Sequence, residues 1–104
     1  MASEKLTVVA YIKAKPGQAE AVRDELMALI QPTRNEPACI NYDLHRSNTD
    51  PNLFMFYENW RSREDLDAHL ETPHLNAFKA KAGDLLAEPL KVELFTMISE
   101  PATA

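Results

Sequence analysis

Residues Leu6 to Lys15 alternate with a two-residue period, yet both alternating sets carry apolar side chains. Leu6, Val8, Ala10, Ile12 and Ala14 form one face, while Val9 and Tyr11 stand on the other. A strand of this kind is buried on both sides, which asks for a layer against each face of its sheet. Lys15-Pro16-Gly17 breaks the strand, and from Gln18 the period turns helical. Ala19, Val22, Leu26, Leu29 and Ile30 then make one apolar stripe, with Glu20, Arg23, Asp24 and Glu25 mostly outside it. Pro32 and Pro37 are expected to bracket the end of that helix and the loop behind it.

A second strand is predicted over Cys39 to Arg46, with Ile40, Tyr42 and Leu44 alternating against Asn41, Asp43 and His45. Ser47-Asn48-Thr49-Asp50-Pro51-Asn52 is a turn cluster, and the aromatic run Leu53 to Tyr57 continues into Glu58-Asn59-Trp60, so the two strands read as a hairpin. Ser62, with Asp65 three residues on, offers a capping-box variant for a helix through Leu66, His69 and Leu70. Thr72-Pro73 restarts the helix, with Thr as cap and Pro at the first helical position, and Leu75, Phe78, Ala82, Leu85 and Leu86 extend the stripe. After Pro89 a last strand is expected from Leu90 to Ile98.

The order β-α-β-β-α-β, with right-handed crossovers, predicts an α+β ferredoxin-like sandwich of four antiparallel strands with helices on one face. Helices cover only one side of such a sheet. A second copy packed sheet to sheet is the simplest cover for the other, so a homodimer is expected. A chain of 104 residues has room for one core, placed at residues 5–99 with tails at 1–4 and 100–104. That length excludes a dinucleotide-binding enzyme with a separate substrate domain. Net charge −5 with mixed signs gives no footprint for nucleic acid or an anionic membrane surface. No apolar run nears the ~18 residues of a membrane span, and Met1 to Leu6 holds no apolar segment behind a positive charge, so a cytoplasmic location is expected. Two glycines are too few for a phosphate-cradling loop.

Chemistry-bearing residues concentrate in Glu58-Asn59-Trp60 and in Ala68 to His74. His69 and His74 are five apart across a proline rather than at i, i+4, so no metal site is expected. Cys39, the single cysteine, has no histidine near it in sequence and reads as a small hydrophobe. His69 falls on the sheet-facing stripe. It is either a core histidine bonded to a neighbouring strand or an imidazole at a cavity edge that binds or deprotonates a hydroxylated substrate. Glu58 is either a solvated strand-end carboxylate or a group that orients His69. Trp60, Tyr42, Phe56 and Phe78 are either core or the walls of a pocket for a flat ring. Glu58 and Trp60 share a strand face. If that face lies under the helices, both converge with His69 on one cavity; if not, Trp60 anchors the dimer.

The segment Tyr57-Glu58-Asn59-Trp60, the capped helix with Leu66, and His69-Leu70-Glu71-Thr72-Pro73-His74 resemble the antibiotic-biosynthesis monooxygenase domain family. Ala14-Lys15-Pro16-Gly17 and Cys39-Ile40-Asn41-Tyr42 fit it too, so the resemblance spans about Leu6 to Met97. It implies a ferredoxin-like protomer in a dimeric α+β barrel with a small apolar cavity between helices and sheet. The activity it implies is oxygenation of phenolic, quinol or anthrone-like substrates by O2 without flavin, metal or haem, hence no cofactor. His69 and Glu58 would then be catalytic, and Trp60, Tyr42, His74, Phe78 and Phe56 would bind substrate. Some relatives degrade haem with an Asn, Trp and His set; in the Thr-Pro register the Trp position holds His69 and the His position falls at about Lys79, so that set is missing. Other relatives with a similar His-x-x-Thr-Pro-His run isomerise phosphorylated sugars, a reading that His69 and His74 keep open. A non-catalytic ligand-binding dimer is the third reading.

Overall fold

The computed structural model describes residues 5–101. Its elements are β1 (Leu6–Lys13), α1 (Ala19–Arg34), β2 (Cys39–Arg46), β3 (Leu53–Trp60), α2 (Arg63–Leu70), α3 (Pro73–Leu85) and β4 (Lys91–Phe95). The strands form one antiparallel sheet in the order β2-β3-β1-β4, the ferredoxin-like arrangement expected from the order of periods. The tails expected at 1–4 and 100–104 fall outside the described residues, except for residues 100 and 101. No helix among the described residues is long and apolar enough to cross a membrane.

Local chemistry accounts for the element ends. Gly17 sits at φ 82, a left-handed value that a side chain disfavours, in the turn between β1 and α1. In the β2–β3 connection the Ser47 hydroxyl accepts from the Thr49 and Asp50 N–H groups, and Asp50 Oδ1 accepts from Asn52 N–H. Such side-chain turns close the hairpin. Ser62 caps α2 in both directions: its Oγ accepts from Asp65 N–H at 3.2 Å and donates to Asp65 Oδ2 at 2.8 Å. Thr72 caps α3 by accepting from Leu75 N–H, with Pro73 at the first helical position.

The core lies between the helices and one face of the sheet. Val8, Ile12, Phe54 and Phe56 come from the central strands; Val22, Leu26 and Leu29 from α1; Leu66, Leu75 and Phe78 from α2 and α3. Burying each such side chain stabilises the fold by about 1.5–3 kcal/mol.

Several expectations are corrected by the structure. First, α1 runs through Pro32 to Arg34 instead of stopping at the proline. The extra turn is held because Thr33 is fully buried, Asn35 N–H bonds Gln31 O, and the Arg34 guanidinium reaches Tyr42 O and Asp43 Oδ1. Ile40 does not share the Tyr42 face. An irregularity between Cys39 and Asn41 lets Cys39 oppose Trp60 and Asn41 oppose Asn59, so Ile40 is extruded and about half exposed. The last strand ends at Phe95 rather than Ile98, because Phe95 already pairs with Thr7 and β1 offers only Leu6 beyond it. In keeping with the expectation, the outer sheet face is not covered by helices within one protomer: Tyr11, Tyr57 and Phe95 stand on it 37%, 37% and 47% exposed.

Candidate active site

Glu58 and Trp60 lie on the sheet face under the helices. Glu58 pairs with Val8 and Tyr42, both buried core residues, and Trp60 is fully buried. The indole Nε1–H donates to Glu58 Oε1 at 2.9 Å, a local i, i+2 bond along one strand face. Tyr42 reaches the same region from β2 and stacks on Phe56 with ring centroids 4.2 Å apart. From α2, His69 drops onto this floor, its ring 4.5 Å from Trp60 and 5.6 Å from Tyr42.

A cavity opens between these groups. Its sheet side is Ala10, Ile12, Tyr42, Phe56 and Glu58, and its helix side is Leu26, Leu29, His69, Leu75 and Phe78. Leu90 and Val92 border it where the helices leave β4 uncovered. Water-sized spheres occupy about 30 Å³ of it, inside about 400 Å³ of non-atom space that includes its open mouth. The site is therefore a narrow apolar slot with few polar groups, the usual composition of a small-molecule pocket.

Of the residues singled out in the sequence, His69, Glu58, Tyr42, Phe56 and Phe78 line the slot. Trp60 lies behind His69 and Glu58 rather than on the wall, and His74 is likewise outside. Glu58 makes its hydrogen bond to Trp60, whereas the carboxylate on His69 is Glu36. Glu36 lies in the loop between α1 and β2, where no periodicity or motif in the sequence marks it. Its Oε2 lies 2.9 Å from His69 Nδ1 and 2.8 Å from His74 Nε2, so one carboxylate oxygen bridges both imidazoles. The break between α2 and α3 makes this possible. On one continuous helix, residues five apart point about 140° from each other; the Thr72-Pro73 restart brings the two rings to 6.1 Å instead.

Burial tunes these groups in opposite senses. Glu58 is raised from its ordinary 4.5 to about 7, chiefly by desolvation and further by the negative charge of Glu36, against the bond from Trp60. His69 is lowered, again chiefly by desolvation, with the Glu36 contact opposing. The Tyr42 phenol is pushed up by burial and by Glu58. Cys39 is pushed up to about 11 by burial and nearby carboxylates, which leaves it a poor nucleophile. The slot thus holds a carboxyl that exchanges its proton near neutral pH beside a neutral imidazole, against stacked rings.

Residues 5–81 match the profile of the family described as antibiotic biosynthesis monooxygenase. The chain belongs to this family. Its fold is that of other members and relatives: the crystal structure of PA3566 from Pseudomonas aeruginosa superposes with a TM-score of 0.89 at 37% identity, covering 95% of this chain and 99% of that one. A protein of Escherichia coli (strain K12) named "Probable quinol monooxygenase YgiN" is 31% identical over 98 residues, covering 84% of this chain and 94% of its own. The Synechocystis sp. protein sll1783 is 37% identical over 94 residues, 90% of this chain, and this chain spans 64% of its length.

Proposed function

We propose that this member of the antibiotic biosynthesis monooxygenase family oxygenates a small phenolic, quinol or anthrone-like substrate with O2, using the acid–base groups of the slot and no flavin or haem. The observation that carries the reading is Glu58, a buried carboxyl on an apolar slot with its pKa near 7. A general base works best when its pKa lies near the operating pH. Glu58 takes the substrate proton, the free ring nitrogen of His69 accepts from a substrate hydroxyl, and Tyr42, Phe56 and Phe78 hold the ring. The substrate anion then passes one electron to O2. Recombination of the radical with superoxide forms a C–O bond and leaves a peroxide anion, to which Glu58 returns its proton to give a hydroperoxide. For an anthrone-like ring methylene, loss of water then leaves a carbonyl, so the methylene and O2 become a ketone and water. A dry slot protects the intermediate. A slot of about 30 Å³ holds only about two waters, so a ring enters as the uncovered Leu90–Val92 side gives way.

The isomerase reading asks both histidines to act on one substrate, but only His69 lines the slot. We further infer that two copies pack sheet to sheet, supported by the half-exposed Tyr11, Tyr57 and Phe95 of the outer face, and that a chain whose single cysteine is a free thiol works in the reducing cytoplasm. The deciding experiment follows O2 uptake with a panel of reduced naphthoquinones, naphthols and anthrones, with anaerobic controls. Wild type should consume O2, and Glu58→Gln and His69→Ala should each lower turnover by about 10²–10⁴. Turnover unchanged without O2, or full O2 uptake by Glu58→Gln, overturns the reading.

A further inference from the structure

Two imidazoles and one carboxylate meet beside the slot in an arrangement that the proposed oxygenation does not need. His69 Nδ1, His74 Nε2 and Glu36 Oε2 all lie within 4.8 Å of one another. We propose that these three side chains bind a divalent first-row transition metal of the zinc class. Such ions take imidazole nitrogen and carboxylate oxygen at about 2.0–2.2 Å, so a tetrahedral ion needs its ligand atoms about 3.3 Å apart. The two Glu36 contacts, at 2.8 and 2.9 Å, need open by only a few tenths of an ångström. The longer gap closes through His74, which at 22% exposure is the least buried of the three side chains.

The ligands stand on rigid supports. Glu36 sits in a turn fixed on both sides, with its N–H bonded to Thr33 O and its carbonyl accepting from Cys39 N–H. The His69 carbonyl accepts from both the N–H and the hydroxyl of Thr72, which holds the α2–α3 junction. The His69 ring is clamped between Trp60 and Tyr42. Sites whose ligand rotamers are locked in this way lose little freedom on binding. Three protein ligands leave a fourth position for water. The cluster is also reachable from outside, since the His74 and Glu36 side chains are 22% and 17% exposed.

Occupancy changes what His69 shows to the slot. While Nδ1–H donates to Glu36, the other ring nitrogen is an acceptor. With Nδ1 on a cation, a neutral ring carries its proton on Nε2 and becomes a donor. The cation thus selects the tautomer beside the substrate. This consequence rests on the proposed function; metal binding itself does not.

The test is a titration of chelator-stripped protein with zinc chloride and cobalt chloride, without substrate, read by calorimetry, by cobalt d–d absorption and by the fluorescence of the single Trp60. One ion per chain is expected, with cobalt bands of a tetrahedral site and quenching of Trp60. His74→Ala and Glu36→Gln should each weaken binding at least about tenfold, since even outer-shell partners of a metal are worth about 10–100-fold. His45→Ala, away from the cluster on β2, should leave it unchanged. His74 is partly exposed, so His74→Ala tests the site even where Glu36→Gln disturbs its turn. No binding up to about 100 µM, or binding that survives His74→Ala or is lost in His45→Ala, overturns the proposal. Because no substrate is present, these results stand apart from the O2-uptake result.

Discussion

Glu58→Gln should make the protein more stable at alkaline pH, although it removes a charged group. The carboxyl is 4% exposed and its pKa rises from 4.5 to about 7 on folding, mainly through desolvation. At about 1.36 kcal/mol per pKa unit the rise corresponds to about 3 kcal/mol. The folded chain holds this proton more tightly than the unfolded chain. The stabilising contribution is therefore complete below pH 4.5, declines as pH climbs, and is gone once pH passes about 7. The neighbours that face Glu58 are Tyr42 from β2 and His69 from α2, with the charge of Glu36 beyond, and all are unchanged in the variant. Gln keeps a carbonyl oxygen for the Trp60 N–H, so the 2.9 Å bond survives. Urea unfolding followed by Trp60 fluorescence at pH 4.5 to 8.5 reads the difference directly, because Trp60 is the only tryptophan and is fully buried. The variant and wild type should match near pH 4.5 and diverge by about 3 kcal/mol, the variant higher, by pH 8. Equal pH dependence in the two proteins would falsify the idea that this carboxyl titrates near neutrality.

Sedimentation at micromolar concentration should show a dimer burying well above about 1,000 Å², and Tyr57→Asp on the outer face should shift it toward monomer; a monomeric wild type overturns the sheet-to-sheet pairing. Leu26→Ala, at a 1% exposed site on α1, should lower the unfolding free energy by about 2–5 kcal/mol in urea titrations. Gly17→Ala should cost about 1–2 kcal/mol in the same assay. A Cβ there meets nothing within 4 Å, so the whole cost comes from φ 82. Cys39→Ser should leave O2 uptake within a few-fold of wild type, as expected for a thiol whose pKa is about 11; a loss of several orders of magnitude would reveal a nucleophile.

The fold was legible where the sequence carries a period or a cap. The two-residue period of β1, the Val22-Leu26-Leu29 stripe, the hairpin turn cluster and the caps at Ser62 and Thr72 all have local causes, and each element forms where its cause lies. Misreadings came where long-range contacts outweigh a local rule. Pro32 forfeits one helical hydrogen bond, but the Arg34 contacts to β2 and the buried Thr33 keep the last turn helical. Ile40 has the right parity for the core, yet the irregularity beside it shifts the register by one residue and turns it outward. The length of β4 was set by where β1 begins, which no pattern within residues 90–98 encodes.

The site shows the same division. Period-two alternation put Glu58 and Trp60 on one face, and helical spacing turned His69 toward it, but neither rule reaches Glu36. That residue lies between helix and strand, where no periodicity applies, and its side chain acts on histidines 33 and 38 residues away. The topology does hold a signal. The hairpin register sets Cys39 opposite Trp60, so the residues just before Cys39 and those just after Trp60 must meet at one end of the sheet. A carboxylate three residues before Cys39 is thereby delivered to the start of the α2–α3 segment, and the helix break at Thr72-Pro73 turns both of its histidines toward that carboxylate. The cap that reads as a stop signal in the sequence is thus the device that assembles the Glu36–His69–His74 cluster. Sequence distance hides the cluster only while the two helices are read as one.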